Sequence, residues 1–263
     1  MEPIAETSDA TAKAERLRFV LGDRQRCEEK ALALHEMLCS EYGCPIAYFH
    51  SLDPLSELIS SLLSHRTRNS DSGKAFKAIR AKYPDWAAVR DADVAELEET
   101  ISRVTWPELK AQRIKDILRR LTEELGEPIS LDFLADLPID EARSWLQRLP
   151  GVGPKTSAAV LSFSLLRGAA LPVDSHHHRV AQRVGLISGK MDVGPSHAAL
   201  AALIPEDWDA QHVYDHHEVF MLHGQKICLW QSPRCQSCVI ADYCDAYQRA
   251  KATGQAIDPR KPK

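Results

Sequence analysis

Four closely spaced cysteines near the end of the chain constrain its fold more than any other feature. They are Cys228, Cys235, Cys238 and Cys244, with the spacing C-x6-C-x2-C-x5-C. The intervals are too short for independent helices, so the backbone must wind around a single point. The pattern therefore predicts one centre with four sulfur ligands.

Three interpretations of this centre are open. Zinc prefers two C-x2-C pairs set apart by a longer insert, whereas this chain has one such pair, Cys235 and Cys238. Disulfides fit least well, because there is no apolar signal peptide and the total of seven cysteines is odd. A [4Fe–4S] cluster fits the spacing best. The remaining cysteines, Cys27, Cys39 and Cys44, are expected to be inert thiols.

The distribution of charged residues along the chain indicates the kind of binding partner more clearly than the net charge does. The formal net charge of the 263-residue chain is −4, yet seven basic residues between Arg143 and Lys190 accompany one acid, Asp174. This local excess predicts a surface that binds nucleic acid. Aromatic residues amount to 6%, and no aromatic platform for stacking on bases is evident. No apolar run approaches the roughly 18 residues of a membrane span.

Apolar residues recur at helical spacing along most of the chain, and valine-rich alternating stretches are absent, so an all-α fold is expected. Pro107 and Gly126 bracket one periodic run, and Asp53-Pro54 begins another. Residues 1–16 are polar and are expected to form a disordered leader, and residues 249–263 a basic, flexible tail.

The segment from Ala142 to Leu165 predicts two helices joined by a tight turn. Pro150-Gly151-Val152-Gly153 interrupts the helical periodicity, and Pro154-Lys155 starts the next helix. Glycines allow close approach of the backbone and leave amide groups pointing outward at a helix N-terminus, where a DNA phosphate can bind without reference to sequence. A plain connecting turn is the alternative, since Gly and Pro are common between helices. Lys155 and the cysteines together favour a DNA-binding helix–hairpin–helix.

Two residues have the chemistry of catalytic groups. Lys155 lies in the first turn of the second helix, where the positive end of the helix dipole favours the neutral, nucleophilic amine. Asp174 precedes the segment Ser175 to Val184 and is expected to cap a helix there. A capping aspartate is usually structural. Facing the lysine, its carboxylate would instead stabilise developing positive charge or assist proton transfer.

These motifs together resemble endonuclease III, a bifunctional DNA glycosylase and AP lyase of the HhH-GPD superfamily. The resemblance rests on Leu149 to Lys155, Val173 to His176, Arg179-Val180 and the four-cysteine loop, and it covers roughly Leu17 to Tyr247. It implies an all-α fold of two lobes with DNA in the cleft between them. One lobe is a six-helix barrel at 47–168, with the helix–hairpin–helix at about 142–165. The other is an iron–sulfur cluster domain formed by 17–46 and 169–248. A monomer in a bacterial cytoplasm, associated with the nucleoid, is expected.

The resemblance also implies roles for individual residues. Lys155 would attack C1′ of a flipped nucleotide, expel a damaged pyrimidine and form a Schiff base that permits β-elimination, with Asp174 in support. Duplex DNA containing damaged bases or abasic sites is the implied partner, and the [4Fe–4S] cluster would be structural. Contacts to DNA would come from Gly151, Val152, Gly153, His65, Arg66, Leu109, His176 and Arg179.

Two loops depart from the family's pattern. The family commonly has LLSAQ where this chain has Leu62-Leu63-Ser64-His65-Arg66, so Arg66 replaces the glutamine that fills the gap left by the flipped base. The family's second DNA-wedging loop usually contains Gly-Leu-Tyr before Lys-Ala, whereas this chain has Thr105-Trp106-Pro107-Glu108-Leu109 before Lys110-Ala111. We therefore expect an altered or reduced range of lesions. A monofunctional adenine mismatch glycosylase and a weakly catalytic or non-catalytic damage-binding iron–sulfur protein are the alternatives.

Overall fold

The computed structural model describes residues 6–257, with side chains from residue 23 onward. Across this range the chain consists of helices and loops without a strand, which confirms the predicted all-α class. The helices are α1 (Glu6–Tyr42), α2 (Pro54–Ser64), α3 (Asn69–Lys82), α4 (Trp86–Asp91), α5 (Val94–Thr100), α6 (Pro107–Leu125), α7 (Ile139–Leu146), α8 (Pro154–Phe163), α9 (Ser175–Val184), α10 (Val193–Ala201), α11 (Ala210–Lys226) and α12 (Asp245–Thr253). None of these helices combines the length and apolar character needed to cross a membrane.

Both predicted terminal segments are partly helical. Helix α1 begins at Glu6 and α12 ends at Thr253, so each runs into a segment expected to lack structure. Residues 1–5 and 258–263 lie outside the described residues. A polar segment without a hydrophobic face can continue a helix, because adding a turn to a formed helix is easier than starting one. The later turns of α1 are anchored by Leu34 and Leu38, both 0% exposed.

Several helix boundaries follow from the residues that sit at them. Asp53 caps α2 by accepting a hydrogen bond from the Ser56 amide at 2.8 Å, and Pro54 occupies the first turn. Helix α6 lies between Pro107 and Gly126, as its sequence predicts. The local signals therefore position the helices that carry the candidate site.

The chain forms two compact units. The hairpin unit contains residues 45–173 and 208–217, and the cysteine unit contains the described residues of 1–44, 174–207 and 218–263. Residues 208–217, which the sequence analysis gave to the cluster domain, belong to the hairpin unit because Tyr214 packs there. Its ring stacks on Tyr48 at 4.0 Å and meets Phe163 edge-on at 5.8 Å.

Helix α2 lies within the core of the hairpin unit, and α3, α6 and α8 contact it. The apolar face of α6 supplies Ile114, Ile117 and Leu118 to the same core, all of them 0% exposed. Burial of one face leaves the opposite face of α6 at the surface. The predicted DNA contact Leu109, on the first turn of α6, is exposed.

The expectation of inert thiols is wrong for Cys39 and Cys44, which form a disulfide at the end of α1. Gly43 has a φ of +83°, which reverses the chain after the helix. The amides of Gly43 and Cys44 both donate to the Cys39 carbonyl, at 2.8 and 3.2 Å. The turn thereby brings Cys44 back beside the last helical turn. Cys27 is a free, half-buried thiol, as expected.

Candidate functional site

The predicted turn between two helices is present in the hairpin unit. Helix α7 ends at Leu146 and α8 begins at Pro154. Val152 fixes the turn because its side chain is 5% exposed and its amide donates to the Leu149 carbonyl at 3.1 Å. The Ser157 amide bonds to the Gly153 carbonyl at 3.0 Å, within the first turn of α8. A helix start of this kind can accommodate an anion at its backbone amides.

Gly151 is required in this turn for two reasons. Its φ of +78° is a conformation that other residues rarely adopt. A Cβ atom at this position would also lie 2.6 Å from Cδ and 2.9 Å from Cζ of Arg113. Arg113, on α6, therefore places a guanidinium group directly against the hairpin. The sequence analysis missed Arg113, because nothing in its local pattern shows that α6 packs beside this turn.

Lys155 occupies the second position of α8 and is half-buried. The next residue, Thr156, shares a hydrogen bond of 2.9 Å between its Oγ1 and Nε2 of His65. Burial, followed by the charges of Lys155, Lys110 and Arg113, lowers the pKa of His65 to about 4. His65 is therefore neutral at neutral pH, with three cationic side chains near it. This concentration of positive charge beside the hairpin suits a phosphate-rich partner.

Lys110 holds the loop that follows α2. Its Nζ atom donates to the carbonyls of Leu63 and His65, each at 2.8 Å, and to Oγ1 of Thr67 at 2.9 Å. The side chain is 5% exposed. Burial and the nearby Arg113 lower the pKa of Lys110 to about 8. One lysine thus binds the backbone before Arg66 and a side chain directly after it.

The loop after α2 and the loop before α6 are joined to each other. Arg66 and Trp106 both have left-handed backbones, with φ of 51° and 54°. Thr105 links them, since its amide donates to Thr67 Oγ1 at 3.1 Å and its hydroxyl to the Arg66 carbonyl at 2.9 Å. The Arg66 guanidinium lies 5.9 Å from the centre of the Trp106 ring. The predicted contact Arg66 therefore lies beside Trp106 of the second atypical loop. The predicted contact Leu109, on the first turn of α6, is 59% exposed.

In the cysteine unit, Asp174 caps α9 as expected. Its Oδ1 accepts a hydrogen bond from the His177 amide at 2.7 Å, and the residue is half-buried. This bond fixes the orientation of the carboxylate. His177 is 0% exposed and its ring stacks on Phe220 at 4.7 Å. The side chain of His177 therefore serves packing.

Arg179 and His176, both predicted to contact DNA, form hydrogen bonds within their own unit, and their contacts with DNA stay a prediction. The guanidinium of Arg179, which is 6% exposed, donates to the carbonyls of Gly224 at 2.7 Å and Cys228 at 3.0 Å. It also approaches Nδ1 of His176 at 3.1 Å. A buried guanidinium with these acceptors stabilises the start of the cysteine loop. The helical position of Arg179 could not show this, because its acceptors lie 45 and 49 residues later.

The four predicted sulfur ligands line one cavity in the cysteine unit, with apolar side chains that include Val180, Val184 and Ile240. Burial, together with the charges of the other three cysteines, raises the pKa of Cys238 to about 12. Arg183 lies at the same cavity, and its Nη1 donates to Cys228 Sγ at 3.2 Å. Four thiolates in such a cavity require a strongly positive centre to neutralise them.

The donor type and the shared cavity fit the predicted [4Fe–4S] cluster, which is ligated by four cysteine thiolates. In the described part of the chain, no three His, Cys, Asp or Glu side chains are placed so that they could already hold a single metal ion.

Residues 59–206 match the family model described as HhH-GPD superfamily base excision DNA repair protein. The chain belongs to this superfamily. Endonuclease III of Thermotoga maritima is 32% identical over 75% of this chain and 85% of that protein. Endonuclease III of Synechocystis is 28% identical over 88% of this chain and 97% of that protein. A longer relative from Arabidopsis thaliana is 33% identical, and the chain spans 57% of its length.

Solved structures of HhH-GPD proteins share the fold. A trapped covalent intermediate of endonuclease III with DNA, an estranged-adenine complex, has a TM-score of 0.71 and 24% identity, covering 85% of this chain and 98% of that chain. A thermostable thymine-DNA glycosylase has a TM-score of 0.69 and 22% identity, covering 84% and 98%. The predicted endonuclease III-like family and its DNA glycosylase class are confirmed.

Proposed function

We propose that this endonuclease III-like protein excises damaged pyrimidines from duplex DNA and cleaves the resulting abasic site, using Lys155 as its nucleophile. The observation that carries the proposal is the position of Lys155. It lies in the first turn of α8, directly after the hairpin glycines and beside the cationic group around His65. Backbone amides there would hold a phosphate while the lysine meets the neighbouring sugar.

The reaction proceeds in two steps. The neutral Lys155 amine attacks C1′ of a nucleotide turned out of the duplex, and the damaged base leaves with the electron pair of the glycosidic bond and takes up a proton. The amine now bonded to C1′ loses a proton, the C1′–O4′ bond breaks and O4′ takes up a proton, which leaves a protonated imine at C1′. The imine acidifies C2′, so loss of a 2′ proton expels the 3′ phosphate. Asp174, oriented by its bond to the His177 amide, would stabilise positive charge on the sugar and handle protons.

We infer that the four cysteines that line the cavity, Cys228, Cys235, Cys238 and Cys244, hold a [4Fe–4S] cluster. Such a cluster supplies positive charge that stabilises buried thiolates, and base excision needs no electron from it. Its role would be to fix the loop from 228 to 244. Arg179 and Arg183 support this role, since both donate to carbonyls of the loop.

The lesion range is expected to differ from that of typical relatives, because Arg66 and Trp106 replace residues of the two DNA-wedging loops. Chemistry and lesion recognition can be separated experimentally, since an abasic site bypasses base recognition. A duplex with an abasic site tests the lyase step, and a duplex with thymine glycol tests excision followed by that step.

Borohydride trapping on the two duplexes is the decisive experiment. The wild-type protein is expected to form a covalent complex on both, and Lys155→Ala on neither. Lys74→Ala, which removes an exposed lysine from α3, is the matched control and should trap normally. Trapping on the abasic duplex alone would indicate a lyase with a different lesion range. Absence of trapping on both would contradict the proposal and favour a monofunctional glycosylase or a DNA-damage-binding protein.

A further inference from the structure

We propose that Cys39 and Cys44 are a reversible redox site, which exchanges its disulfide with low-molecular-weight thiols and thereby controls how firmly the cysteine unit holds its bound centre. The part that concerns the centre rests on the proposed [4Fe–4S] cluster, whereas the exchange itself does not. The groups involved all lie in the cysteine unit. They are the disulfide, a histidine beside it, and a tyrosine and a second histidine that lead to a proposed cluster ligand.

The first observation is that one unit holds cysteines in two oxidation states. Cys39 and Cys44 are joined in a disulfide, while Cys27 and the four cysteines of the loop are free thiols. An iron–sulfur cluster is ligated by thiolates, so it assembles where thiols stay reduced. Disulfides in such a compartment are usually transient, and are catalytic or redox-sensing. The bond between Cys39 and Cys44 is therefore expected to open and close.

The second observation is the position of the disulfide and the histidine beside it. Cys39 and Cys44 are half-buried in the turn after α1, and Gly43 between them is exposed, so a small thiol can reach the bond. The ring of His35 lies beside Cys39 Sγ, with Nε2 at 3.6 Å and Nδ1 at 3.9 Å. An imidazole at this distance stabilises a departing thiolate. Cys44 Sγ is therefore the atom attacked, and Cys39 is the leaving group.

The exchange consumes two equivalents of thiol. The first thiolate attacks Cys44 Sγ, the disulfide breaks, and Cys39 Sγ leaves with the electron pair and takes up a proton. The second thiolate attacks the small-molecule sulfur of the mixed disulfide and releases Cys44, which takes up the other proton that the thiols gave up. The protein disulfide is thus reduced to two thiols, and the small thiols are oxidised to one disulfide. An excess of that small disulfide drives the reverse sequence.

The third observation is that Tyr42 connects this turn to α11. Tyr42 stands between Cys39 and Cys44 in the sequence, so the disulfide restricts the backbone that carries its ring. Its hydroxyl lies 3.1 Å from Nδ1 of His223. Burial raises the pKa of Tyr42 to about 12, so the hydroxyl keeps its proton and donates it to that nitrogen. The position of the turn therefore decides whether His223 receives this hydrogen bond.

His223 extends the contact to a proposed cluster ligand. The residue is 1% exposed, and its Nε2 lies 3.5 Å from Cys238 Sγ. Because Nδ1 accepts a bond from Tyr42, the neutral ring carries its proton on Nε2 and presents it to the sulfur. Hydrogen bonds of this kind orient the ligands of a metal centre and tune its affinity. The closed disulfide thus holds the centre more firmly, and reduction of the disulfide loosens it.

The exchange is tested by alkylation of the full-length protein after equilibration at a series of ratios of reduced to oxidised glutathione. Mass spectrometry of the peptide that contains Cys39 and Cys44 measures the fraction that is reduced. The wild-type pair should pass from disulfide to dithiol across the series. His35→Phe, which keeps a ring but no nitrogen, should slow the reduction by about tenfold or more. A pair that stays oxidised, or stays reduced, at every ratio would overturn the redox site.

The coupling is tested by the rate at which a chelator removes iron from the same proteins without oxygen. The wild-type protein should lose iron about tenfold faster in reduced than in oxidised glutathione. Cys39→Ser/Cys44→Ser, which cannot form the bond, should lose iron at the faster rate in both buffers. Tyr42→Phe keeps the disulfide and the ring without the hydroxyl, and it should behave in the same way. Cys27→Ser is the matched control and should respond as the wild type does.

The outcomes separate the exchange, the coupling and the cluster. Equal rates of iron loss from the wild-type protein in the two buffers would overturn the coupling, as would a Tyr42→Phe protein that responds as the wild type does. A response that persists in Cys39→Ser/Cys44→Ser would mean that glutathione acts on the centre directly, which also overturns it. Wild-type protein without iron would overturn the proposed cluster and the coupling with it, while alkylation decides the exchange separately.

Discussion

Gly151 and Gly153 lie in the same turn but meet different steric conditions. Gly151 has a positive φ and lies against Arg113, whereas Gly153 has a φ of −102° and a Cβ atom there would meet nothing within 4 Å. The first glycine is required by the fold, and the second leaves room for a ligand to approach the backbone.

Gly151→Ala should lower the free energy of unfolding by about 1–2 kcal/mol from the backbone alone, and displacement of Arg113 adds to this. Gly153→Ala should change it by about 0.5 kcal/mol or less. Urea unfolding of the two variants measures the difference. If the stabilities fall equally, the contact with Arg113 and the left-handed turn are not what selects glycine at position 151.

Helix α6 contributes to stability and to the candidate site through two buried lysines. Lys110 binds the carbonyls of Leu63 and His65, and Lys115 binds those of Arg90 and Ala92 at the end of α4. Both lysines keep backbone oxygens satisfied inside the fold. Only Lys110 acts on the loop that carries Arg66.

Lys110→Met and Lys115→Met should each destabilise the protein by about 1–3 kcal/mol, because each leaves buried acceptors without a donor. Binding to duplex DNA with an abasic analogue should weaken in Lys110→Met and remain near the wild-type value in Lys115→Met. Urea unfolding and equilibrium binding together make the comparison. A parallel loss of binding in both variants would show that general destabilisation, and not the Arg66 loop, is responsible.

The elements themselves could largely be predicted from sequence, whereas their contacts could not. Asp53, Pro107, Gly126 and Asp174 mark helix ends by local chemistry, and each occupies the predicted place. The Cys39–Cys44 disulfide also has a local cause, the turn at Gly43, but the interpretation of the cysteines as inert overlooked it.

The sequence analysis missed Arg113 and the contacts of Trp106 and Arg179 for a different reason. Their roles depend on a partner from another helix or loop: Gly151 for Arg113, Arg66 for Trp106, and the Gly224 and Cys228 carbonyls for Arg179. Helical periodicity reports which face of a helix is buried, but not which neighbour covers it. The candidate site could therefore be located from its motifs. The contacts that other helices and loops make with it could be seen only in the tertiary structure.

At the scale of the whole molecule, the cysteine unit is expected to depend on its bound centre. Cys238→Ser should lower bound iron and labile sulfide and reduce the thermal stability of the protein, because metal binding and folding are coupled. Cys27→Ser is the control, since Cys27 is a free cysteine that does not line the cavity. Iron and sulfide analysis with thermal unfolding measures both. Unchanged iron in Cys238→Ser would contradict the proposed ligand set.

The division of the chain into units has a consequence for biosynthesis. Helix α1 is translated long before its described long-range partners. Arg24 binds the carbonyl of Ala202, Tyr42 meets His223 and Lys30 pairs with Asp245, at separations of 178 to 215 residues. Residues 45–173 leave the ribosome well before these partners do, and domains begin to fold as they emerge. Helix α1 is therefore packed after the hairpin unit has begun to fold, and its buried face stays in contact with solvent until its late partners are made.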